Sequence, residues 1–501
     1  MADISKPQLF EPSRSRPLPE IDTVWFDVSA LLLMPSGYVS GITRTIHKIL
    51  ECWAATPWTR IKLCAFVADH GVAEVCPAFL HRHMYQYDPR PAPRVVPDEA
   101  EPEEVRPHSR YWYIPWTLRH QYRSVEKVVK GGVTKFWVDP NPPYQPQTAP
   151  RPHYAPYAPN SLVGLVELGP RDLVFSLGGL WMINNFQATV TQARQRSRFQ
   201  FISLIYDLIP IVTPQYVPDC LIEGAFVPTT EAQLRESAVT LTISEHSKLD
   251  VLKYAQERFI PVGPVEVFTL GSDITPLDAT ASAHTKTQHS RPFVLSVGTI
   301  ESRKNHYGMY QAWRKLIKTL GPDRAPDLVF AGKPGWHGEN VLYMIKHDPL
   351  VKDKIIVKSG VGDRELDWLY KNCLFTLYPS LYEGWGLPVE ESFIYGKMCV
   401  TTNVSSLPEV GGEFAEYVEP EDVDGIVRAV IKGLDPAYRS GREALIRDKY
   451  KANTWSQAVV QLQTILENYF SFAEERERVK RRKRSKDQPQ STLARAMSFF
   501  W

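Results

Sequence analysis

No stretch of this 501-residue chain approaches the roughly 20 apolar residues a membrane-spanning helix needs, so no spanning segment is expected. The opening residues, MADISKPQLFEPSRSRPLPE, hold no apolar signal core, so export is not expected either. Cysteine is scarce: Cys52, Cys64, Cys76, Cys220, Cys373 and Cys399 form no C-x-x-C pair and have no histidine at metal-ligand spacing. They read as reduced thiols of a cytoplasmic protein, which excludes a disulfide scaffold and a zinc site. An excess of one charge sign is also missing, since 58 Lys and Arg face 56 Asp and Glu. The distribution is uneven, however. Residues 476–486, RERVKRRKRSK, carry a local +7 and leave −5 on the rest of a chain whose formal net charge is +2. The body is mildly acidic and lacks interleaved basic and aromatic residues, so specific nucleic-acid binding is not expected.

The chain does have length, and proline. Five hundred residues are too many for one core, so two domains are expected. Residues 22–33, DTVWFDVSALLL, read as a buried parallel strand with its turn, followed by Gly37, Gly41 and an amphipathic helix from about 42 to 53. Strand, glycine turn, helix is the opening of a doubly wound domain. A second strand is expected at 61–67. From about 85 to 160 proline is too dense for regular helix or central strand, and the segment reads as an insertion with one helix around 117–129. Alternation resumes with strands at 172–177, 201–207 and 239–244, a helix at 245–258, and 264–271 closing the half. A polar stretch, 278–291, reads as a linker. The pattern then repeats from 292 to 454, through strands at 291–298, 327–332, 354–359, 373–379 and 398–403 with helices between them. Residues 455–473 have apolar positions at helical spacing, and 474–501 are expected to be a disordered basic tail.

The segment 378–412, YPSLYEGWGLPVEESFIYGKMCVTTNVSSLPEVGG, is the most informative. Glu383 and Glu391, with seven residues between them, flank a Gly-Trp-Gly-Leu-Pro turn that leads into a helix. Unpaired backbone N–H groups at a helix start receive phosphate, and carboxylates receive hydroxyls. The segment resembles the donor-binding signature of retaining family-4 glycosyltransferases. That resemblance implies the GT-B fold: α/β, two Rossmann-like doubly wound domains facing a cleft, with 20–277 on the acceptor side and 292–454 on the nucleotide-sugar side. It also implies a C-terminal crossover helix at 455–473. In the family's roles, Glu383 contacts the donor sugar, Glu391 the ribose, and the backbone near Gly384, Gly386 and Leu387 the sugar or phosphate. Glu390 competes with Glu391 for the ribose on spacing alone.

SVGTIESRKNHYGMYQAW (296–313) places Gly298 at the end of a strand, with Arg303 and Lys304 just before a helix, where ligand phosphates bind in a parallel sheet. It resembles the family's diphosphate loop in its "GTIE-x-RKNH" version. Many relatives carry Arg directly after the glycine where this chain has Thr299, and Arg303 is the candidate replacement. In SLIYDLIPIVTPQY (203–216) the family often has a histidine before Asp207; this chain has Tyr206, which can donate a hydrogen bond but cannot act as imidazole. Asp207 reads equally as a turn cap. In PSGYVSGITR, Gly41 lets backbone approach the diphosphate and Arg44 adds charge. ISEHSKLDVLKY (243–254) reads as a helix start, and Asp422-Val423-Asp424, despite its D-x-D spelling, as helix capping.

The candidate catalytic set is therefore Glu383, Lys304, Arg303, Asp207 and Tyr206, with Gly298, Gly384, Gly386, Leu387, Glu391 and Gly41 completing the donor site. No metal or other cofactor is expected, because cations and helix starts can neutralise a leaving diphosphate. The resemblance implies transfer of a hexose from a nucleotide-diphosphate sugar to a glycan or lipid-linked acceptor. The motif versions look most like bacterial mannosyltransferases of surface-polysaccharide assembly, which use GDP-mannose. Glucosyl, rhamnosyl or galactosyl transfer on the same fold remains open, as does a GT-B protein that binds without catalysis. The 476–501 tail, cations followed by Phe499-Phe500-Trp501, fits an anionic membrane surface or a solvated end.

Overall fold

The computed structural model describes residues 21–33, 41–56, 61–76, 161–219, 222–272 and 289–486, the stretch 472–486 as backbone only. The proline-rich insertion with its expected helix, Gly37, most of the linker and residues 487–501 lie outside these.

Two sheets organise the described residues. The first has eight strands: β1 (Thr23–Asp27), β2 (Ile61–Val67), β3 (Gly71–Val75), β4 (Leu162–Leu165), β5 (Asp172–Ser176), β6 (Gln200–Leu204), β7 (Val239–Thr242) and β8 (Val265–Val267). Their spatial order is β4-β3-β2-β1-β5-β6-β7-β8. Pairing is parallel except at one edge, where β3 runs antiparallel to β2 and to β4. That antiparallel edge has no counterpart in the sequence pattern: Gly71–Val75 is short, and its partner β4 is 87 residues further along the chain.

The second sheet is wholly parallel, with β9 (Phe293–Val297), β10 (Asp327–Ala331), β11 (Ile355–Lys358), β12 (Thr376–Tyr378), β13 (Cys399–Thr402) and β14 (Ala415–Val418) in the order β11-β10-β9-β12-β13-β14. Strands buried on both faces explain the continuous apolar runs of the sequence; β1, β10 and β12 are buried at every position. In each sheet the strand order reverses beside the first strand, between β1 and β5 and between β9 and β12. Loops leaving the carboxyl ends at such a reversal make a crevice, because the adjoining helices go to opposite faces.

Five helices bear on the crevice and its support: α1 (Gly41–Ala54), α2 (Glu245–Glu257), α3 (His306–Leu320), α4 (Leu387–Ile394) and α5 (Trp455–Lys486). Trp53 of α1 is fully buried edge-on against Phe26, ring centroids 5.0 Å apart, and Phe26 meets Phe175 at 5.2 Å. Ala458, Leu462, Leu466 and Phe470 of α5 join this same core, and Gln463 Nε2 donates to Thr56 Oγ1 at 2.8 Å, so the last helix packs beside α1. This helix runs to Lys486, past the 473 expected from its apolar spacing. Residues 473–484 are almost all strong helix formers, with acidic residues preceding basic ones, so propagation from a packed first half continues.

Candidate active site

The crevice holds a cavity of about 630 Å³. All eleven residues singled out from the sequence line it: Gly41, Tyr206, Asp207, Gly298, Arg303, Lys304, Glu383, Gly384, Gly386, Leu387 and Glu391. Sequence spacing cannot bring them together, since they come from both sheets.

At its centre is Glu383, on the loop after β12. Its Oε1 accepts from Lys304 Nζ at 2.9 Å, Tyr378 Oη at 2.6 Å and Ser380 Oγ at 2.9 Å, and its Oε2 lies 2.7 Å from Arg303 Nη1. Burial alone would raise this carboxyl, but the Arg303 and Lys304 charges prevail and hold it at about 2. Arg303 is in turn held above its usual value: burial opposes the charge, and Glu383 and Glu301 outweigh burial. Its Nη2 donates to Glu301 Oε1 at 2.7 Å, and its Nη1 also donates to the Tyr382 carbonyl. Lys304 donates to the Tyr378 hydroxyl and sits over that ring, 4.8 Å from its centroid. Two cations are thus matched by two carboxylates in a nearly dry site.

Local conformation explains the placement. Gly298 ends β9 with φ 135°, and the Lys304 stem passes 3.3 Å from where a Cβ would stand, so the chain turns back and the lysine folds over it. Asn305 then starts α3, its Oδ1 accepting from Gly308 N at 3.0 Å. Gly386, also at φ 135°, precedes α4, which begins Leu-Pro and so wastes no donor at its second position. The starts of α1 and α4 converge: a Cβ at Gly41 would lie 4.0 Å from Leu387 Cδ1. Two positive helix ends and three cations, Arg44, Arg303 and Lys304, therefore face one space.

Spacing left Glu390 and Glu391 unresolved, and the structure separates them. Glu391 lines the cavity, its Oε1 accepting from both Nη atoms of Arg44 at 3.0 and 3.1 Å and its Oε2 from Tyr370 Oη at 2.8 Å. Glu390 turns inward to accept from Trp385 Nε1 at 2.8 Å, and burial pushes it up to about 7 despite that bond, with Glu391 adding to the rise. Asp207 is the turn cap of one reading and also lines the cavity. Its Oδ1 caps the following turn by accepting from Ile209 N at 3.0 Å, and its Oδ2 would stand 2.8 Å from a Cβ at Gly384. Burial raises Asp207 to about 6, the turn's N–H and Arg303 opposing. The Tyr206 phenol is raised by burial as well, so it stays protonated.

Several contributors carry no recognisable mark in the sequence. Tyr370 has no signal beyond an ordinary helix residue, and Glu301, although it lies inside the GTIE-x-RKNH motif, was given no role from it. The start of α2 is a helix cap as expected, with Ser244 Oγ accepting from Ser247 N at 3.0 Å, but it also docks on the other half. Ser244 Oγ donates to the Gly384 carbonyl at 3.0 Å, and Glu409 accepts from the backbone N–H of Glu245 and His246 at 2.8 Å each. Asp422 caps its helix by accepting from Gly425 N at 2.8 Å, and Asp424 pairs with Lys315, which accounts for the D-x-D. Among the described residues no group of three His, Cys, Asp or Glu is placed to hold a metal ion, and no helix is long and apolar enough to cross a membrane.

Residues 279–484 match the family of glycosyl transferases group 1. The chain is 27% identical over 267 residues to an O-antigen chain mannosyltransferase B of Escherichia coli, covering 52% of this chain and 68% of that one. It is also 27% identical over 254 residues to a serotype-specific mannosyltransferase of the same organism, of which it spans only 30%. A sucrose-phosphate synthase from Thermosynechococcus elongatus superposes with a TM-score of 0.53 at 16% identity, over 90% of this chain and 99% of that one. The fold is GT-B.

Proposed function

We propose that this chain, whose residues 279–484 form a glycosyl transferases group 1 domain, is a retaining mannosyltransferase. It takes mannose from GDP-mannose to a glycan or lipid-linked acceptor in bacterial surface-polysaccharide assembly. The observation that carries this reading is the convergence of two helix starts, Arg303 and Lys304 beside a buried, ionised Glu383 in one crevice cavity. The comparisons supply the class of chemistry, and the names of the two relatives supply the sugar.

In this mechanism the largest developing charge is on the leaving diphosphate, and Lys304, Arg303 and the α1 and α4 starts line the cavity that receives it. That set makes a metal unnecessary. Glu383 orients the sugar by accepting from its hydroxyls, and Glu391 takes the ribose. The bond from the anomeric carbon to the diphosphate breaks while the bond to the acceptor oxygen forms on the same face, and a diphosphate oxygen receives the acceptor proton. Tyr206 donates to a sugar hydroxyl and Asp207 holds the loop that carries Gly384. The hydrogen bonds from the α2 start, the Ser244 hydroxyl to the Gly384 carbonyl and two backbone N–H groups to Glu409, keep the two halves closed, which excludes water from the donor. The helical basic run at 476–486 holds the enzyme against anionic lipid, where a lipid-linked acceptor resides.

The test is nucleoside-diphosphate release from a panel of nucleotide sugars, with membrane lipid extracts as acceptor, for wild type and Lys304→Ala. Turnover of GDP-mannose that the substitution abolishes is the expected result. Turnover of a different donor would replace the sugar, and tight binding without turnover would favour a binding protein of the same fold. No donor binding at all refutes the site.

A further inference from the structure

A second cavity, of about 830 Å³, shares a wall with the first. The turn before α3 divides them: Glu301 and Ser302 line the second cavity, Arg303 and Lys304 the first. Leu381 lines the second and Glu383 the first, and Leu381 N donates to the Arg303 carbonyl at 2.8 Å, closing the partition. From the other half of the molecule, Ile209 and Pro210 border the first cavity and Tyr216, six residues on, the second. One extended ligand could follow that segment from one cavity to the other.

The two linings are chemically opposite. The first presents Arg44, Arg303 and Lys304; the second has no Lys or Arg among its described lining residues. His306, on its wall, adds no positive charge, because burial lowers it to about 4. Apart from the imidazole of His337, a phosphate-bearing ligand would meet no basic side chain there. Instead the lining offers the aromatic faces of Tyr216, Tyr307 and Tyr343, the amides of Gln311 and Asn340, and the carboxylate of Glu421. Tyr307 and Tyr343 are 51% and 55% exposed, large apolar faces left in water. The Ser302 hydroxyl on the shared wall is buried and has no hydrogen-bond partner among the described residues. Aromatic faces beside neutral donors and acceptors fit a pyranose, whose axial C–H face is apolar and whose rim is hydroxyl.

We propose that this second cavity binds neutral pyranosyl residues of the glycan acceptor behind its growing end, with Tyr307 and Tyr343 as stacking platforms. The role as acceptor subsite rests on the transferase reading above; the binding of a neutral glycan does not.

The experiment titrates α-linked mannotetraose by calorimetry or ligand-observed NMR into three full-length proteins. These are wild type, the Tyr307→Ala/Tyr343→Ala double variant, and the Tyr307→Phe/Tyr343→Phe double variant. GDP is titrated in parallel. Both tyrosines are surface-exposed, so the variants should fold. The alanine variant should bind the tetrasaccharide about tenfold more weakly, as truncating an aromatic anchor does, while the phenylalanine variant stays close to wild type and GDP affinity is unchanged in all three. Equal tetrasaccharide binding by wild type and the alanine variant, or none by wild type, overturns the proposal. Tyrosine-dependent tetrasaccharide binding without any GDP binding would leave this site standing and sink the donor reading instead.

Discussion

Replacing Glu383 by glutamine should destabilise the free protein and yet tighten its grip on a nucleoside diphosphate. The side chain keeps its shape, and Tyr378 and Ser380 can still donate to Oε1, but Arg303 and Lys304 lose the charge that balances them at 2.7 and 2.9 Å. Glu383 is only 7% exposed, so solvent screens little of this. Its carboxyl is held at about 2 against 4.5 unperturbed, which corresponds to about 3 kcal/mol of stability. Breaking a buried pair from one side costs about 3–5 kcal/mol, the same order.

Because the folded value is depressed, this contribution is complete above about pH 4.5 and fades as pH falls toward 2. Thermal unfolding should therefore show a Tm lower by an amount on the order of 5 °C at pH 7 and a shrinking gap below pH 4.5. An arriving diphosphate competes with Glu383 for the same two cations. Removing a unit charge about 6 Å away at an effective dielectric near 40 favours the ligand by about 1.4 kcal/mol, roughly tenfold in affinity. Turnover should collapse nonetheless, since the sugar loses its orienting carboxylate. A calorimetric titration in which the glutamine variant binds GDP more weakly than wild type would refute the competition argument, and an unchanged Tm would refute the charge balance.

Glycine at 384 is required by proximity, since a Cβ there would stand 2.8 Å from Asp207 Oδ2 and 2.9 Å from its Cβ. Gly384→Ala should thus cut kcat/KM by at least about tenfold, the lower end of what a misplaced site costs; activity within twofold of wild type in a donor-turnover assay would contradict this. Arg44→Met removes the cation that joins α1 to Glu391 at 3.0 Å. It should raise the donor KM more than it lowers kcat, and a pure kcat defect in steady-state kinetics would count against the placement. Glu390, raised to about 7 by burial, confers stability that is complete below its unperturbed 4.5 and lost as pH climbs through 7. Glu390→Gln can still accept from Trp385, so its Tm should exceed that of wild type at pH 8, by up to about 3 kcal/mol in free energy, and the gap should narrow toward pH 5. A pH-independent gap between the two melting curves would exclude this assignment.

The half that carries the second sheet was the more legible part of the sequence. Its sheet is purely parallel, and buried parallel strands write themselves as short apolar runs such as Asp327–Ala331 and Cys399–Thr402. Gly298 and Gly386 were readable because their backbone conformations tolerate little else, and Arg303, Lys304 and Glu383 because they lie in segments that resemble the family's motifs. The antiparallel edge of β3 and β4 was not readable, since 86 residues separate those strands and neither is strongly patterned. The continuation of α5 to Lys486 was not read from its apolar spacing, although the residues concerned favour helix.

What the sequence determined by itself was local: which segments are strands and helices, where glycine frees a turn, and which residue types could meet phosphate and sugar. Only the tertiary structure decided the partners. Arg44 reaches Glu391 across 347 positions of sequence, Ser244 reaches Gly384 across 140, and nothing in spacing separates Glu390 from its neighbour Glu391. The direction of each carboxylate, toward ligand or toward core, depends on which half of the molecule it packs against. Such packing comes from burial, which is non-directional, and so the chain records that these residues are buried without recording against what.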